Sequence, residues 1–503
     1  MAVMYASALP VVIPAILVGL AISSLFVKFF LQFWSLRHIP GPPLAKLTNF
    51  WLARKFWNKE TFCDIAVDLD RRYGPVVAYG PNRVLFSDAS AVPVIFNTKD
   101  ALPKAESYET AIPVVNGKLV TTIATERSEV RISAIKKQII GAFTTKAILD
   151  YEPHVDRNIK YLMSRLSNDQ VNLDQLNIAP WIIFFAFDTI CRIAFSDDQS
   201  LMERQADTGN SIEAGRQRFI YWHNWQSLPW LERLLYKNWW AVRRSAKSGS
   251  KGNSLGQLAG ARLQDRLEKG GLGLHSDLLD RFLQGAERDN TITKTTVLGL
   301  VMSMIHAGAD TTSVTLIMTL HFLLTNPDKM KKLRKELEDA NLSSPPQWTE
   351  VHNLRYLEAC VKETGRLRPI LIDPIEREVP ANGPGIEIAG AYIPPGNVVA
   401  VNTHALNRDP RVWGERTDEF RPERWIECDD AQLQRMERAN LFFSGGRRLC
   451  IGQHIAWIEM LKFLPELLAT FDIELVNPGS TLRFESGTMN RFTEELNVRL
   501  TPR

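Results

Sequence analysis

The first 27 residues carry no charged side chain, and Leu9 to Val27 is dominated by Val, Ile, Leu and Ala. Phe29, Phe30, Leu31, Phe33 and Trp34 prolong the apolar run. About 20 apolar residues are enough for a helix to cross a bilayer, so the pattern predicts a transmembrane anchor within residues 1–34. Lys28, Arg37, Lys46, Arg54 and Lys55 follow, with no acidic residue before Glu60. That asymmetry keeps the chain after the helix in the cytosol. A cleaved secretory signal would need a basic start and a shorter apolar core, and neither is present. Ile39-Pro40-Gly41-Pro42-Pro43 cannot be helical, because three prolines fix φ and remove donors. Residues 35–60 therefore read as a stiff hinge and linker.

Further on, Val76–Tyr79 and Arg83–Phe86 flank Gly80-Pro81-Asn82, the pattern of a hairpin. Residues 132–337 follow mostly helical periodicity, interrupted by a Gly-, Ser- and Lys-rich stretch from Ser245 to Gly260 that reads as a loop. Val297 to Leu324 is a long apolar segment ended by Asn326-Pro327, and Ile451 to Leu468 is another helical run. Gly383 to Val401 alternates short β-like runs with Pro and Gly, and Thr481 to Arg499 predicts terminal strands. No repeat and no second linker interrupts this order. The expected fold is mainly α with a minor β sheet, a single domain over 61–503. Phe219 to Trp240 holds Trp222, Trp225, Trp230, Trp239 and Trp240, which suits either a membrane interface or a packed aromatic core.

Composition narrows the function. The chain has 503 residues, 45% hydrophobic and 23% charged, an ordinary globular balance. A formal net charge of +4 is too small at this length to point to nucleic acid. Cys63, Cys191, Cys360, Cys428 and Cys450 are scattered, odd in number and free of C-x-x-C spacing. They indicate neither a disulfide framework nor a zinc site and fit a reducing compartment.

Phe443-Ser444-Gly445-Gly446-Arg447-Arg448-Leu449-Cys450-Ile451-Gly452 is the most informative stretch. It sets one cysteine behind a glycine turn and just before a helical run. Free N–H groups at a helix N-terminus stabilise an anion and depress a thiol pKa. A thiolate is the form in which cysteine binds iron. A buried structural cysteine is the bland alternative; it loses to the complete pattern F-x-x-G-x-R-x-C-x-G. That pattern resembles the haem-binding loop of the cytochrome P450 superfamily. The resemblance extends from about Pro40 to the C-terminus, with details similar to fungal members such as the pisatin demethylase-like group.

The resemblance implies haem b with Cys450 as its metal ligand. Phe443 would shield the sulfur, Gly446 and Gly452 would let the backbone turn and approach the macrocycle, and Arg448 would pair with a propionate. Glu363-Thr364-Gly365-Arg366 fits the family's Glu-x-x-Arg pair, joined by Arg424 of Pro422-Glu423-Arg424 in a buried structural triad. Glu213-Ala214-Gly215-Arg216 fits the same spacing and is read as an exposed decoy. Ala307-Gly308-Ala309-Asp310-Thr311-Thr312 matches the oxygen groove: Ala307, Gly308 and Thr311 share a face of small residues beside the cofactor, and Asp310 with Thr311 forms the catalytic acid–alcohol pair. One departure stands out. Where the family often has Trp-x-x-x-Arg, this chain has Ile132 and Lys136, so Lys136 and Arg377 become the further propionate candidates.

The implied function is a membrane-anchored haem-thiolate monooxygenase that inserts one oxygen atom of O2 into a lipophilic small molecule. Hydroxylation, epoxidation and oxidative demethylation all fall within it, and secondary metabolism is the expected setting. No flavin or nicotinamide motif occurs, so electrons are expected from NADPH–cytochrome P450 reductase, with Lys136, Lys137 and Arg447 on the docking face. The expected location is the endoplasmic reticulum membrane, single-pass, catalytic domain cytosolic, and no nucleic acid is bound. A haem-thiolate isomerase or dehydratase needs no reductase and no Asp310–Thr311 pair. A non-catalytic haem protein would leave the groove without a purpose. Apolar residues are expected to line the pocket at 111–115, 303–307, 370–372 and 487–490.

Overall fold

The apolar segment before Asn326-Pro327 is apolar on every face, and a helix of that kind must be buried on every face. In the computed structural model it forms the 32-residue helix Lys294–Thr325. Thr293 caps its start, accepting from the Thr296 N–H, and Pro327 begins the next helix, where its missing donor costs nothing. The structure describes residues 34–503 apart from 169–170, 198, 248–253, 271–272, 274, 480–483, 486 and 493, together with 19, 23 and 27.

Six helices position the site: α1 (Glu129–Ile139), α2 (Ala179–Phe195), α3 (Ser211–Trp225), α4 (Lys294–Thr325), α5 (Arg355–Leu367) and α6 (Gln453–Thr470). Helix α4 is the axis; it packs against α2, α3, α5 and α6 and against the helices Ser254–Lys269 and Leu278–Arg288. Among the described residues only this helix is long and apolar enough to cross a membrane, and 72% of its most apolar window is buried inside the protein. Its apolar faces are filled by core rather than lipid.

The sheet is small. Strands β1 (Val76–Gly80), β2 (Arg83–Phe86), β3 (Arg377–Glu378) and β4 (Val398–Val401) lie in the order β1-β2-β4-β3. The expected hairpin is β1–β2, antiparallel with Val77 opposite Leu85. Strand β4 then pairs parallel with β2, Val84 opposite Val399. Near the C-terminus β5 (Phe484–Glu485) and β6 (Arg491–Phe492) form a two-stranded ribbon. The fold is mainly helical with small sheets.

Three expectations change here, and a fourth falls outside the described residues. The stretch 35–60 is not a stiff linker: it carries the helices Pro43–Leu47 and Phe50–Trp57, with Ala45, Leu52, Ala53 and Phe56 packed into the core. The helix after Cys450 starts at Gln453 rather than Ile451, because Gly452 serves as its N-cap. The Gly- and Ser-rich stretch is not a loop throughout: Ser254–Lys269 is helical, its apolar residues Leu255, Ala259 and Leu263 buried in the core. Packing outweighs the low helix preference of the glycines. The anchor expected within residues 1–34 lies outside the described residues except Gly19, Ser23, Val27 and Trp34, which are helical and exposed.

Candidate active site

The glycine turn is forced by contact. Gly446 has φ +63°, and a Cβ there would fall 2.1 Å from the Phe96 carbonyl oxygen. Only glycine meets both conditions. The loop closes on itself where the Cys450 N–H donates to the Phe443 carbonyl at 2.9 Å. Phe443 packs on Phe442 and Trp457, ring centroids 4.4 Å and 5.7 Å away. Gly452 corrects the expectation made for it: φ is −87°, and a Cβ would meet nothing within 4 Å. Its contribution is the N–H, which faces Cys450 and favours the thiolate.

Cys450 keeps accessible surface although it lies deep in the protein, and burial raises its thiol pKa against the opposing pulls of the Gly452 N–H and Lys136. The helix-terminus argument alone foretold a depressed value; in the metal-free chain desolvation is larger. An accessible atom enclosed by protein faces an internal chamber. The same holds on α4, where Ala307 is exposed, and His306, Gly308 and Thr311 are half-buried, in the middle of an otherwise buried helix. A surface cleft of about 650 Å³ is lined by residues such as Lys329, Arg416 and Glu423 and shares none of these.

On α4 the Thr311 hydroxyl donates to the Ala307 carbonyl at 2.7 Å, the back-bonding that Thr favours within a helix. Gly308 turns elsewhere than expected. A Cβ there would meet Ile190 of α2 at 2.7 Å, so its smallness serves helix packing rather than the groove. Asp310 is buried, its Oδ2 2.6 Å from Arg491 Nη2 on β6 and 3.9 Å from His306 Nε2. The Arg491 approach lies off the N–H axis, so the pair is ionic without an aligned hydrogen bond. Burial raises the Asp310 pKa against the pull of Arg491. The same ribbon is tied to α3: Arg216 Nε donates to Glu485 at 2.8 Å.

Arg448 makes a bond that was not anticipated: its Nε and Nη2 both donate to Glu129 Oε1 on α1, at 2.9 and 2.5 Å. Its Nη1 is buried without a hydrogen-bond partner among the described residues. Lys136, also on α1, donates to the Arg447 carbonyl at 2.7 Å and so braces the loop. Arg377 is buried beside its own strand, Nη1 on the Glu376 carbonyl at 3.0 Å and its guanidinium 5.2 Å over the Phe96 ring. Sequence reasoning missed Lys104. It is buried, and its pKa is pushed well below normal by burial and then by Arg448, Arg377 and Lys136, with Glu129 opposing. Three cations and one acid, Glu129, thus act on it.

Glu363, Arg366 and Arg424 come together as expected. Arg366 Nε and Nη2 reach Glu363 at 2.9 and 2.8 Å, and Arg424 Nε at 2.8 Å. Trp425 Nε1 and the Arg421 N–H, not foreseen, complete the carboxylate at 3.0 Å each. The arginines' remaining protons go to backbone carbonyls, Arg366 to Asn407 and Thr417 and Arg424 to Trp413 and Arg416. The triad thereby clamps residues 407–419. The look-alike pair Glu213–Arg216, at 3.1 Å, is exposed. Two expected pocket segments meet: Leu371 pairs with Met489, and Ile370 and Met489 cluster with Val314, Met318 and Phe219.

A mainly helical domain with a cysteine loop opening on an internal chamber, an acid–alcohol pair across a core helix and a surplus of buried cations defines the haem-thiolate class. The comparisons agree. The Cytochrome P450 family model matches residues 40–496. The chain is 34% identical over 484 residues to cytochrome P450 monooxygenase cicH of Emericella nidulans, covering 94% of this chain and 95% of the relative. It is 33% identical over 474 residues to a cytochrome P450 monooxygenase of Aspergillus terreus, covering 92% and 95%, and 31% identical to mfmA of Annulohypoxylon moriforme over 485 residues, 92% of each chain. The chain belongs to the cytochrome P450 family and is a haem-thiolate monooxygenase.

Family membership implies haem b with an axial cysteine thiolate, O2 as co-substrate, a redox partner and a small-molecule substrate. The residues fit that group. Enclosed cations in excess of acids, one with an unpartnered nitrogen, suit two propionates, and the accessible Cys450 sulfur suits an iron ligand.

Proposed function

We propose that Cys450 supplies the axial thiolate and that an anchor within 1–34 tethers a catalytic domain that takes in 35–60, where the helices Pro43–Leu47 and Phe50–Trp57 bury Ala45, Leu52, Ala53 and Phe56. When bound, haem supplies activation of O2 and transfer of one oxygen atom to a substrate C–H or C=C bond. The protein's part is to hold the group, exclude water and meter protons. Arg448, Lys104, Arg377 and Lys136 hold its carboxylates. Phe443 shields the sulfur, and Gly446 keeps the loop tight. Ala307 leaves space over the chamber, Thr311 holds a water there through its hydroxyl, and Asp310 passes protons to it from the Arg491 side.

Electrons come from NADPH–cytochrome P450 reductase at the endoplasmic reticulum membrane, with the domain on the cytosolic side. The exposed rings of Trp230, Trp239 and Trp240 support contact of that face with lipid, whereas Trp222 and Trp225 are half-buried against other rings. The substrate is a lipophilic metabolite of a fungal secondary pathway, as the fungal relatives suggest. The observation that carries the reading is the enclosed yet accessible Cys450 behind its glycine turn. Its test is spectroscopic. The reduced carbon monoxide complex should show the band of thiolate-ligated haem. Cys450→His should lose it, and Cys63→Ala, Cys191→Ala and Cys428→Ala should keep it. A band that persists in Cys450→His overturns the assignment.

A further inference from the structure

One charge in the chamber wall takes no part in the oxygen chemistry. Arg218 lies on α3, three residues after Gly215 and one before Phe219. The Gly215 carbonyl accepts from His306 Nε2 at 3.0 Å, and the Phe219 ring stacks on the His306 ring at 4.3 Å. His306 precedes Ala307 on α4. Arg218 Nη2 donates to the carbonyl of Ala111, where the pocket segment 111–115 begins. Helix α3, α4 and that segment thus bracket the guanidinium. The side chain keeps accessible surface although it lies deep in the protein, as Cys450 and Ala307 do.

Most enclosed arginines in this protein have a carboxylate: Arg83 has Glu376, Arg366 and Arg424 share Glu363, and Arg491 has Asp310. Arg218 has none among the described residues; only the Tyr221 phenol opposes the burial that pushes its pKa down to about 10. Burial, with Arg218 next, pushes His306 down to about 3, so the imidazole is neutral and adds no competing charge. A guanidinium stays protonated even when buried, and an enclosed ion without a counter-ion is costly. Beside Arg218, Phe219, Ile370, Met489 and Val314 form an apolar cluster. An isolated, forked donor in an apolar chamber is the arrangement that selects a carboxylate.

We propose that Arg218 is a specificity-determining residue and that the substrate is a lipophilic carboxylic acid, its carboxylate on Arg218 and its apolar body extended toward Ala307 and Thr311. This rests on the monooxygenase reading of the same chamber and refines it. The test uses the full-length haem-loaded enzyme. Dodecanoic acid and biphenyl-4-carboxylic acid are titrated beside their methyl esters and primary amides at neutral pH, following the substrate-induced shift of the haem absorption band. The acids should bind roughly tenfold or more tighter than their neutral partners. Arg218→Gln should bring the acid-to-ester ratio close to one, and Arg218→Lys should keep part of it. Haem content is checked in each variant by the carbon monoxide band. Equal binding of acids and esters, acids that give no shift, or an acid preference that survives Arg218→Gln each overturn the proposal. If both variants lose haem, Arg218 is also a latch on Ala111 and the wild-type panel alone decides. Turnover of a neutral lipophile with reductase and NADPH leaves the monooxygenase reading intact even where the acid preference fails.

Discussion

At Thr311 and Asp310 the geometry separates two kinds of failure. The Thr311 hydroxyl is anchored on the Ala307 carbonyl, facing the chamber, while Thr312 is buried on another side of α4. Thr311→Ala is expected to keep haem, substrate binding and NADPH oxidation while diverting electrons to hydrogen peroxide; Thr312→Ala should divert much less. Arg491 is the cation in contact with Asp310. Positioned proton transfer contributes about 10²–10⁴-fold, so Arg491→Gln should slow product formation on the order of tenfold. Its solvent isotope effect should rise toward that of Asp310→Asn. Product per NADPH, with peroxide assayed in parallel, checks both; a fully coupled Thr311→Ala would place the wrong face of α4 over the chamber. Glu459 offers a separate test. It is fully buried on α6, neither carboxylate oxygen has a hydrogen-bond partner among the described residues, and burial raises its pKa well above normal. The folded state therefore binds a proton that the unfolded state releases above the normal carboxylate range. The sign is that stability falls as pH rises from that range toward the raised value. Glu459→Gln should flatten this slope, so its melting temperature should gain on wild type as pH goes from acidic to mildly alkaline. Parallel melting curves would show the carboxylate to be partnered in solution.

Among the elements, α5 and the loop it clamps are the clearest case of identical spacing with different consequence. Glu363-Thr364-Gly365-Arg366 and Glu213-Ala214-Gly215-Arg216 share one pattern, and only the surroundings distinguish them. Glu363 receives five donors in the core, so Glu363→Ala leaves Arg366 and Arg424 as buried cations without a counter-ion, a loss of about 3–5 kcal/mol. That variant should be recovered haem-free and aggregated. Glu213 is half open to solvent, where a helical pair adds about 0.3–0.5 kcal/mol, and Arg216 retains Glu485. Glu213→Ala should incorporate haem normally; equal haem content in the two variants would mean the triad is misassigned. The β5–β6 ribbon shows what spacing does not reveal. Its strands fall within the stretch Thr481 to Arg499 expected to be strands, but that pattern does not say that they bring Arg491 to Asp310 across about 180 positions of chain.

For the whole molecule, the exposed tryptophans and the apolar N-terminal run make one prediction. Removing residues 1–33 should leave a folded, haem-loaded protein that no longer sediments with membranes after a high-salt wash, because the proposed anchor lies in that uncharged apolar run. Residual association should then fall further in Trp239→Ser with Trp240→Ser. A full-length protein that is already free of membranes refutes the anchor. The lesson about legibility follows the range of each interaction. The cysteine loop, the core helix α4 and the hairpin β1–β2 were readable because their determinants are consecutive: a cysteine within a glycine-and-arginine motif, an apolar run ended by proline, two strands around a turn. The mainly helical fold with minor sheet was readable for the same reason. Tertiary structure alone decided the partners of the charges. Arg448 took Glu129 from α1, Lys104 joined the cation cluster, Gly308 faced α2, Gly452 served as a cap, and Arg218 was left without a carboxylate. The sequence by itself determines which groups are present and their local geometry. Which of them share a low-dielectric interior, and so which charges find a partner there, is set by contacts between segments hundreds of residues apart.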